Sequence, residues 1–379
     1  MNIMTNNVQY KNLLLVVFSI VVIGSFLLYS ASSSFAFYKF NKPDSYFFVK
    51  HLVWFFIGTI ALFLISNINY EYLRDKSKKI LFISWFVILI PIFQKIFLDG
   101  DNVARWLKIG NFSLMTTSDL GKISLIIFTC AFIDRNYSKI NNIRFMIKNY
   151  LPYLLITLLL IFYQPDLSTT IVLSLIIFSL LYIAGISKKI ISYLMISGLL
   201  FVIVILSSIN NYQQLRFLNW LKSFSSSGNL DQSYFSILAL ANGGFFGKGI
   251  GDSIFKYNGF IPEGQTDFIL AIIGEEIGFI GIFIIFGMFS ILFWQGLIIA
   301  KNCNDRFSML LSFGIVINIF FYLIINASYV IGILPTTGLP IPFVSYGGSQ
   351  TIFTLASIGI LLNISKTNNF YQTKRKYYV

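Results

Sequence analysis

Three carboxylates fall inside one apolar stretch: Asp267, which opens it, and Glu275 and Glu276 further along, in Pro262-Glu263-Gly264-Gln265-Thr266-Asp267-Phe268-Ile269-Leu270-Ala271-Ile272-Ile273-Gly274-Glu275-Glu276-Ile277-Gly278. The chain holds only 15 acidic residues and is 56% hydrophobic, so this placement calls for a reason. Ionisable groups in such runs are costly and mark functional sites by default. The bland reading of Asp267 is a helix N-terminal acid set against the macrodipole. If a helix starts at Asp267, then Ala271, Gly274, Gly278 and Gly281 share its face, and small residues there let a neighbouring helix come close. Glu276 then points the opposite way, so one of the two glutamates faces a cavity or an ion pair and the other is structural.

Other charged residues stand in comparable places. Asp119 and Lys122 form an i, i+3 pair with the acid first, as a helix prefers. Lys122 either closes a local pair or faces the same cavity as Asp267. Arg105-Trp106 reads equally as a clamp on an anionic headgroup or as an interface anchor. Lys248, among Gly247, Gly249 and Gly251, could hold phosphate with its ammonium and neighbouring N–H groups. A nucleotide loop is excluded, since no strand precedes these glycines and the Walker pattern is missing. Gln164-Pro165-Asp166-Leu167 interrupts two apolar runs and reads as a tight turn.

These residues must be positioned by membrane helices. Mean hydropathy is +0.76 over 379 residues with 11% charged, far more apolar than one soluble core requires. The expected fold is an all-α polytopic membrane protein with about ten spans, at 12–34, 51–67, 79–97, 120–133, 151–164, 167–185, 190–209, 267–300, 308–329 and 349–365. The fourth run is short, and a core helix or re-entrant segment there would leave nine. The first run exceeds a signal-peptide core, and more spans follow, so it stays attached. Of the 28 Lys and Arg, the larger share falls on one set of loops, which puts both termini in the cytoplasm. The net charge of +13 is scattered over those loops rather than gathered on one face, which speaks for lipid contact and against nucleic acid. Cys130 and Cys303 give no disulfide framework, and a single histidine, His51, excludes a histidine metal cluster.

No repeat or low-complexity linker divides the chain, so 1–379 reads as one integral-membrane domain with a cytoplasmic tail at about 366–379. A first outer loop, about 98–118, ends at Ser118, a candidate helix cap. The large extracytoplasmic loop, about 210–266, lies between helices 7 and 8 and has helical potential from Gln232 to Leu240. The connection at 330–349 is uncharged and rich in Pro and Gly. Apolar backbone of that kind is tolerated at membrane depth only when buried, so it is expected to fold back into the bundle.

Taken together, Tyr29-Ser30-Ala31-Ser32, Ala104-Arg105-Trp106-Leu107, Gln164-Pro165-Asp166-Leu167, Gly243-Gly244-Phe245-Phe246-Gly247-Lys248-Gly249, Thr266-Asp267-Phe268 with Gly274-Glu275-Glu276, and Pro342-Phe343-Val344-Ser345-Tyr346-Gly347-Gly348-Ser349 resemble, in order, the motifs of the SEDS family of bacterial shape, elongation, division and sporulation proteins. The resemblance spans essentially the whole chain. It implies a ten-helix peptidoglycan glycosyltransferase of the cytoplasmic membrane that polymerises lipid II on the outer side. The implied partners are lipid II, the nascent glycan strand, a class B penicillin-binding transpeptidase and other divisome or elongasome membrane proteins. Departures are Gln265 for a usual His, Ser168 for Gly, and Met115-Thr116-Thr117-Ser118-Asp119 where Gln-Pro-Ser-Glu is common. Tyr29-Ser30-Ala31-Ser32 and Gly338-Leu339-Pro340-Ile341-Pro342 lean to the FtsW division branch over RodA.

The family's essential acid falls on Asp267, which is then the general base for the acceptor sugar's 4-hydroxyl. Its other candidate role is to share a divalent cation, Mg or Mn, with the diphosphate; no organic cofactor is implied. Arg105, Lys122, Arg216 and Lys248 are candidate cations for the diphosphates. Trp106, Asp119, Gln232, Ser345 and Tyr346 complete the expected substrate site. The competing readings are a lipid flippase, with Asp119, Lys122 and Glu275 along its path, and a non-catalytic division scaffold.

Overall fold

A computed structural model describes residues 2–97, 105–109, 112–196, 198, 218, 220, 232–257, 259–261 and 264–377. Their helices are α1 (Asn2–Phe40), α2 (Tyr46–Ser66), α3 (Tyr70–Phe97), α4 (Thr117–Arg135), α5 (Ile143–Asn149), α6 (Leu151–Tyr163) and α7 (Leu167–Ile183). They continue as α8 (188–196), α9 (Gln232–Gly243), α10 (Ile254–Tyr257), α11 (Ile269–Glu276), α12 (Gly278–Lys301), α13 (Arg306–Val330) and α14 (Gly348–Tyr377). Six described helices are long and apolar enough to cross a membrane, and the α5–α6 pair, bent by 46° at Tyr150, makes seven if taken as one span. The expected seventh span, 190–209, lies mostly outside the described residues.

Burial separates the helices into a centre and a rim. The most apolar windows of α13 and α14 are 72% and 78% buried, whereas that of α2 is 17% buried, so α13 and α14 are central and α2 faces outward. α4, at 19 residues, is buried on nearly every side and is a core helix. Its buried Ser, Thr, Asp and Lys face other helices, as polar groups must where lipid offers no hydrogen bonds.

Three expectations are corrected. The chain is not wholly helical: β1 (Trp106–Ile109) pairs antiparallel with β2 (Phe112–Thr116), with a register shift at Leu107/Lys108. The Gly110-Asn111 dipeptide between two short apolar-rich segments is a hairpin signal that accounts for this. Ser118 does not cap α4. The cap position is Thr116, and its hydroxyl donates to Asp119 Oδ2 at 2.6 Å. Nor is 267–300 one helix. The chain breaks at Ile277, and Gly278 has φ +75, a conformation that favours glycine. A Cβ on Gly278 would stand 2.4 Å from the Gly247 nitrogen, so the 244–250 turn packs into the break.

The segment between α13 and α14 does fold back into the bundle. Leu339, Ile341, Phe343, Val344 and Ser345 are buried, and a Cβ on Gly24 of α1 would come 2.5 Å from the Phe343 carbonyl oxygen. Tyr346 N–H donates to the Gln265 carbonyl at 2.9 Å, which ties this segment to the turn that carries Asp267. Among the described residues neither Cys130 nor Cys303 forms a disulfide.

Candidate active site

A cavity of about 870 Å³ is lined by Asp267, Arg105, Trp106, Asp119, Gln232 and Tyr346 among the residues expected from sequence. Its wall is completed by the ends of α4 and α7, the middle of α13, the start of α14, and the 336–340 segment.

Asp267 sits half-buried in the turn just before α11, not in the helix itself. Its backbone carbonyl accepts from Asn326 Nδ2 and from Tyr329 OH, each at 2.8 Å. The same two side chains donate to the Leu339 carbonyl, at 2.7 Å from Asn326 and 2.9 Å from Tyr329, and Asn326 Nδ2 lies 2.6 Å from Tyr329 OH. Two amide protons and one phenolic proton therefore serve two carbonyls and the phenol oxygen. The Phe268 ring meets Tyr329 edge-on at 5.6 Å. This clamp on α13 fixes the main chain of Asp267 and of the 331–347 segment together.

On the opposite wall Asp119 accepts from Thr116 and, at 3.0 Å, from Lys122. The i, i+3 pair read from sequence is thus present. Lys122, however, is not among the lining residues; it is 3% exposed and donates at 2.7 Å to the hydroxyl of Tyr322, which does line the cavity. Thr116 and Ser349 share a hydrogen bond of 2.7 Å that ties β2 to α14. Arg105 donates from one terminal nitrogen to the Pro165 carbonyl, while its Nε is buried with no partner among the described residues. Asp166 caps α7, accepting from Thr169 N at 3.2 Å and Thr169 Oγ1 at 2.9 Å, and it also lines the cavity.

Two expected site residues stand elsewhere. Lys248 is exposed on the 244–250 turn, where its backbone N–H donates to Glu275 O at 2.9 Å. Ser345 is buried, its hydroxyl accepting from Ile341 N at 2.9 Å, and it shapes the loop rather than the cavity. Arg216 lies outside the described residues. Neither glutamate reaches the cavity wall. Glu275 accepts from Asn242, from Ser253 and from the Ile254 N–H. Glu276 pairs with Lys256 at 2.7 Å and accepts from Ser30 at 2.5 Å. The glutamates thus bind the 242–256 segment to α1 and α11, and Glu275 does not line the cavity that Asp119 lines.

The sequence reading missed Asp166, Tyr322 and Asn326. Asp166 precedes an apolar run, which is a cap signal. Tyr322, Asn326 and Tyr329 fall at i, i+4, i+7, one face of a helix. Asp119, Asp166 and Asp267 share the cavity, yet among the described residues no three His, Cys, Asp or Glu gather closely enough to hold a metal ion. Such a cluster is what an all-protein site needs; a cation shared between Asp267 and a diphosphate would need only one or two carboxylates beside the phosphate oxygens.

The family described as cell cycle protein, covering FtsW, RodA and SpoVE, matches residues 10–370. The chain belongs to this family. Among FtsW/RodA/SpoVE relatives, stage V sporulation protein E of Bacillus subtilis is 34% identical over 97% of this chain and all of its own length. A probable peptidoglycan glycosyltransferase FtsW of Trichlorobacter lovleyi is 33% identical, covering 93% of this chain and 92% of that one. Such relatives agree with the lean to the FtsW branch. A chain of a peptidoglycan synthase complex superposes with a TM-score of 0.73 at 20% identity, over 94% of this chain and 97% of that one. Rod shape determining protein RodA of Thermus thermophilus gives 0.64 at 20% identity, over 94% and 96%. At these identities the likeness speaks for the fold.

Proposed function

We propose that the chain polymerises lipid II into glycan strands at the outer face of the bacterial cytoplasmic membrane during cell division, with Asp267 as general base. The observation that carries this reading is the cavity that sets the Asp267 turn, held at its backbone by Asn326 and Tyr329, in one space with Arg105. Asp267 takes the proton of the acceptor's 4-hydroxyl as that oxygen attacks the anomeric carbon of the lipid-linked donor. The new glycosidic bond forms as the bond to the diphosphate breaks, and the electron pair leaves on the polyprenyl diphosphate. Fixed donors aimed at that growing negative charge lower the barrier. The buried, unpartnered Nε of Arg105 supports its role as one such donor. Trp106, 39% exposed at the rim, offers a ring face to the sugar or lipid.

The whole chain acts as one integral-membrane unit, both termini are cytoplasmic, and a class B penicillin-binding transpeptidase crosslinks the strands it makes. The solved peptidoglycan synthase complex, described as coordinating polymerization and crosslinking, supports the crosslinking partner, and the Lys and Arg distribution supports the orientation. The test is to supply lipid II to the purified chain with its transpeptidase in detergent. Long glycan strands are expected. Passage of lipid II across vesicles with no strand formation would overturn the reading in favour of a flippase.

A further inference from the structure

We propose that Tyr322 is a substrate-binding residue that donates a hydrogen bond to a diphosphate oxygen of the lipid-linked substrate and carries the charge of Lys122 to the cavity surface. The proposal rests on the reading that the cavity accepts a lipid diphosphate.

The argument starts from proton counting. A lysine ammonium has three donors and no acceptor, so in the 2.7 Å contact between Lys122 Nζ and Tyr322 OH the phenol oxygen must accept. Its own proton is then directed elsewhere, and among the described residues the phenol donates to no protein acceptor. Tyr322 is 3% exposed and lines the cavity, and its hydroxyl lies within electrostatic reach of Asp119 and Asp166, both on the cavity wall. Lys122 is withdrawn behind that wall, paired with Asp119 at 3.0 Å and set 4.2 Å from the Tyr322 ring centroid.

Polarity gives the ligand class. A phenol that accepts from a cation becomes a stronger donor, because the bonds in a chain polarise one another. Such a donor favours an anionic oxygen over a neutral one. Asp119 is already matched by Lys122 and Thr116, and Asp166 by its α7 cap. The polarised proton is thus left for the ligand, on the wall that Arg105 shares.

The test measures affinity of the full chain in nanodiscs for undecaprenyl diphosphate, undecaprenol and lipid II. Tyr322→Phe removes one oxygen and leaves Lys122 its pairing with Asp119 and the ring face. The variant is expected to bind undecaprenyl diphosphate and lipid II about tenfold or more weakly, with binding of undecaprenol unchanged. Unchanged diphosphate affinity overturns the proposal, as does a loss confined to lipid II, which would put the contact on the sugar or peptide. A lowered melting temperature with full affinity also overturns it. Should the variant fail to fold, a fluorotyrosine placed at 322 is followed by fluorine NMR: its resonance shifts with undecaprenyl diphosphate and not with undecaprenol, and an unmoved resonance sinks the assignment. The base reading is tested apart, by polymerisation with Asp267→Asn. If the base reading fails because that variant polymerises normally, the Tyr322 binding result still stands or falls separately.

Discussion

Asn326 and Tyr329 hold the backbone carbonyl of Asp267 and so govern where the carboxylate stands. Removing the Tyr329 hydroxyl leaves two carbonyls to share the Asn326 amide. Since displacements of about 1 Å near a reacting group can cost roughly a hundredfold, Tyr329→Phe is expected to lower kcat at least about tenfold with lipid II affinity unchanged. Steady-state polymerisation against lipid II concentration separates the two, and an unchanged kcat would refute the clamp. Lys122→Met strips the buried Asp119 of its partner, which is expected to destabilise the fold by about 3–5 kcal/mol. The double variant with Asp119→Asn should recover most of that, as read by thermal unfolding in detergent. The Asp119–Lys122 pair was legible because two charges at helical spacing stand out in an apolar run. Asn326 and Tyr329 were not, because uncharged polar residues in such a run look the same whether they grip a turn such as that of Asp267 or a neighbouring helix.

The 232–257 segment is docked through glycines. A Cβ on Gly243, at the end of α9, would lie 1.9 Å from the Gly274 carbonyl oxygen, and backbone there has no room to yield. One on Gly247, at φ +81, would lie 2.2 Å from the Glu276 carbonyl oxygen. Either residue replaced by Ala should lower the melting temperature and expose 232–257 to protease, with overpacking costing about 1–3 kcal/mol. Gly287 has nothing within 4 Å of its Cβ position, so Gly287→Ala is the control that should leave both unchanged. Of the small-residue stripe Ala271, Gly274, Gly278 and Gly281, Gly274 and Gly278 mark close approaches by another segment, whereas the nearest atoms to Gly281 belong to Ile277 and Ile273 of its own. What period alone could not show is that Gly274 meets Leu240 of α9 while Gly278 meets an irregular turn. A positive φ at one glycine breaks the helix, and spacing is blind to φ. The return of 331–347 into the bundle was legible because that apolar, proline-rich backbone has no other way to satisfy its polar groups.

Across the whole molecule, composition and run lengths were enough for the fold class, because a chain this apolar must place its surplus in lipid. The number of spans was less legible: α4 is buried on nearly every side, and composition alone does not separate a core helix from a span. Orientation follows from charge, and labelling checks it. In intact cells a membrane-impermeant maleimide should reach Lys248→Cys, while the native Cys303 should react only after permeabilisation; the reverse pattern would invert the topology. Position, charge and packing all converge on Asp267, and the most direct measurement is lipid II polymerisation by the purified complex carrying Asp267→Asn. The account predicts a rate lower by at least about a hundredfold with an unchanged melting temperature. Strand synthesis at the unaltered rate by that folded variant would contradict it.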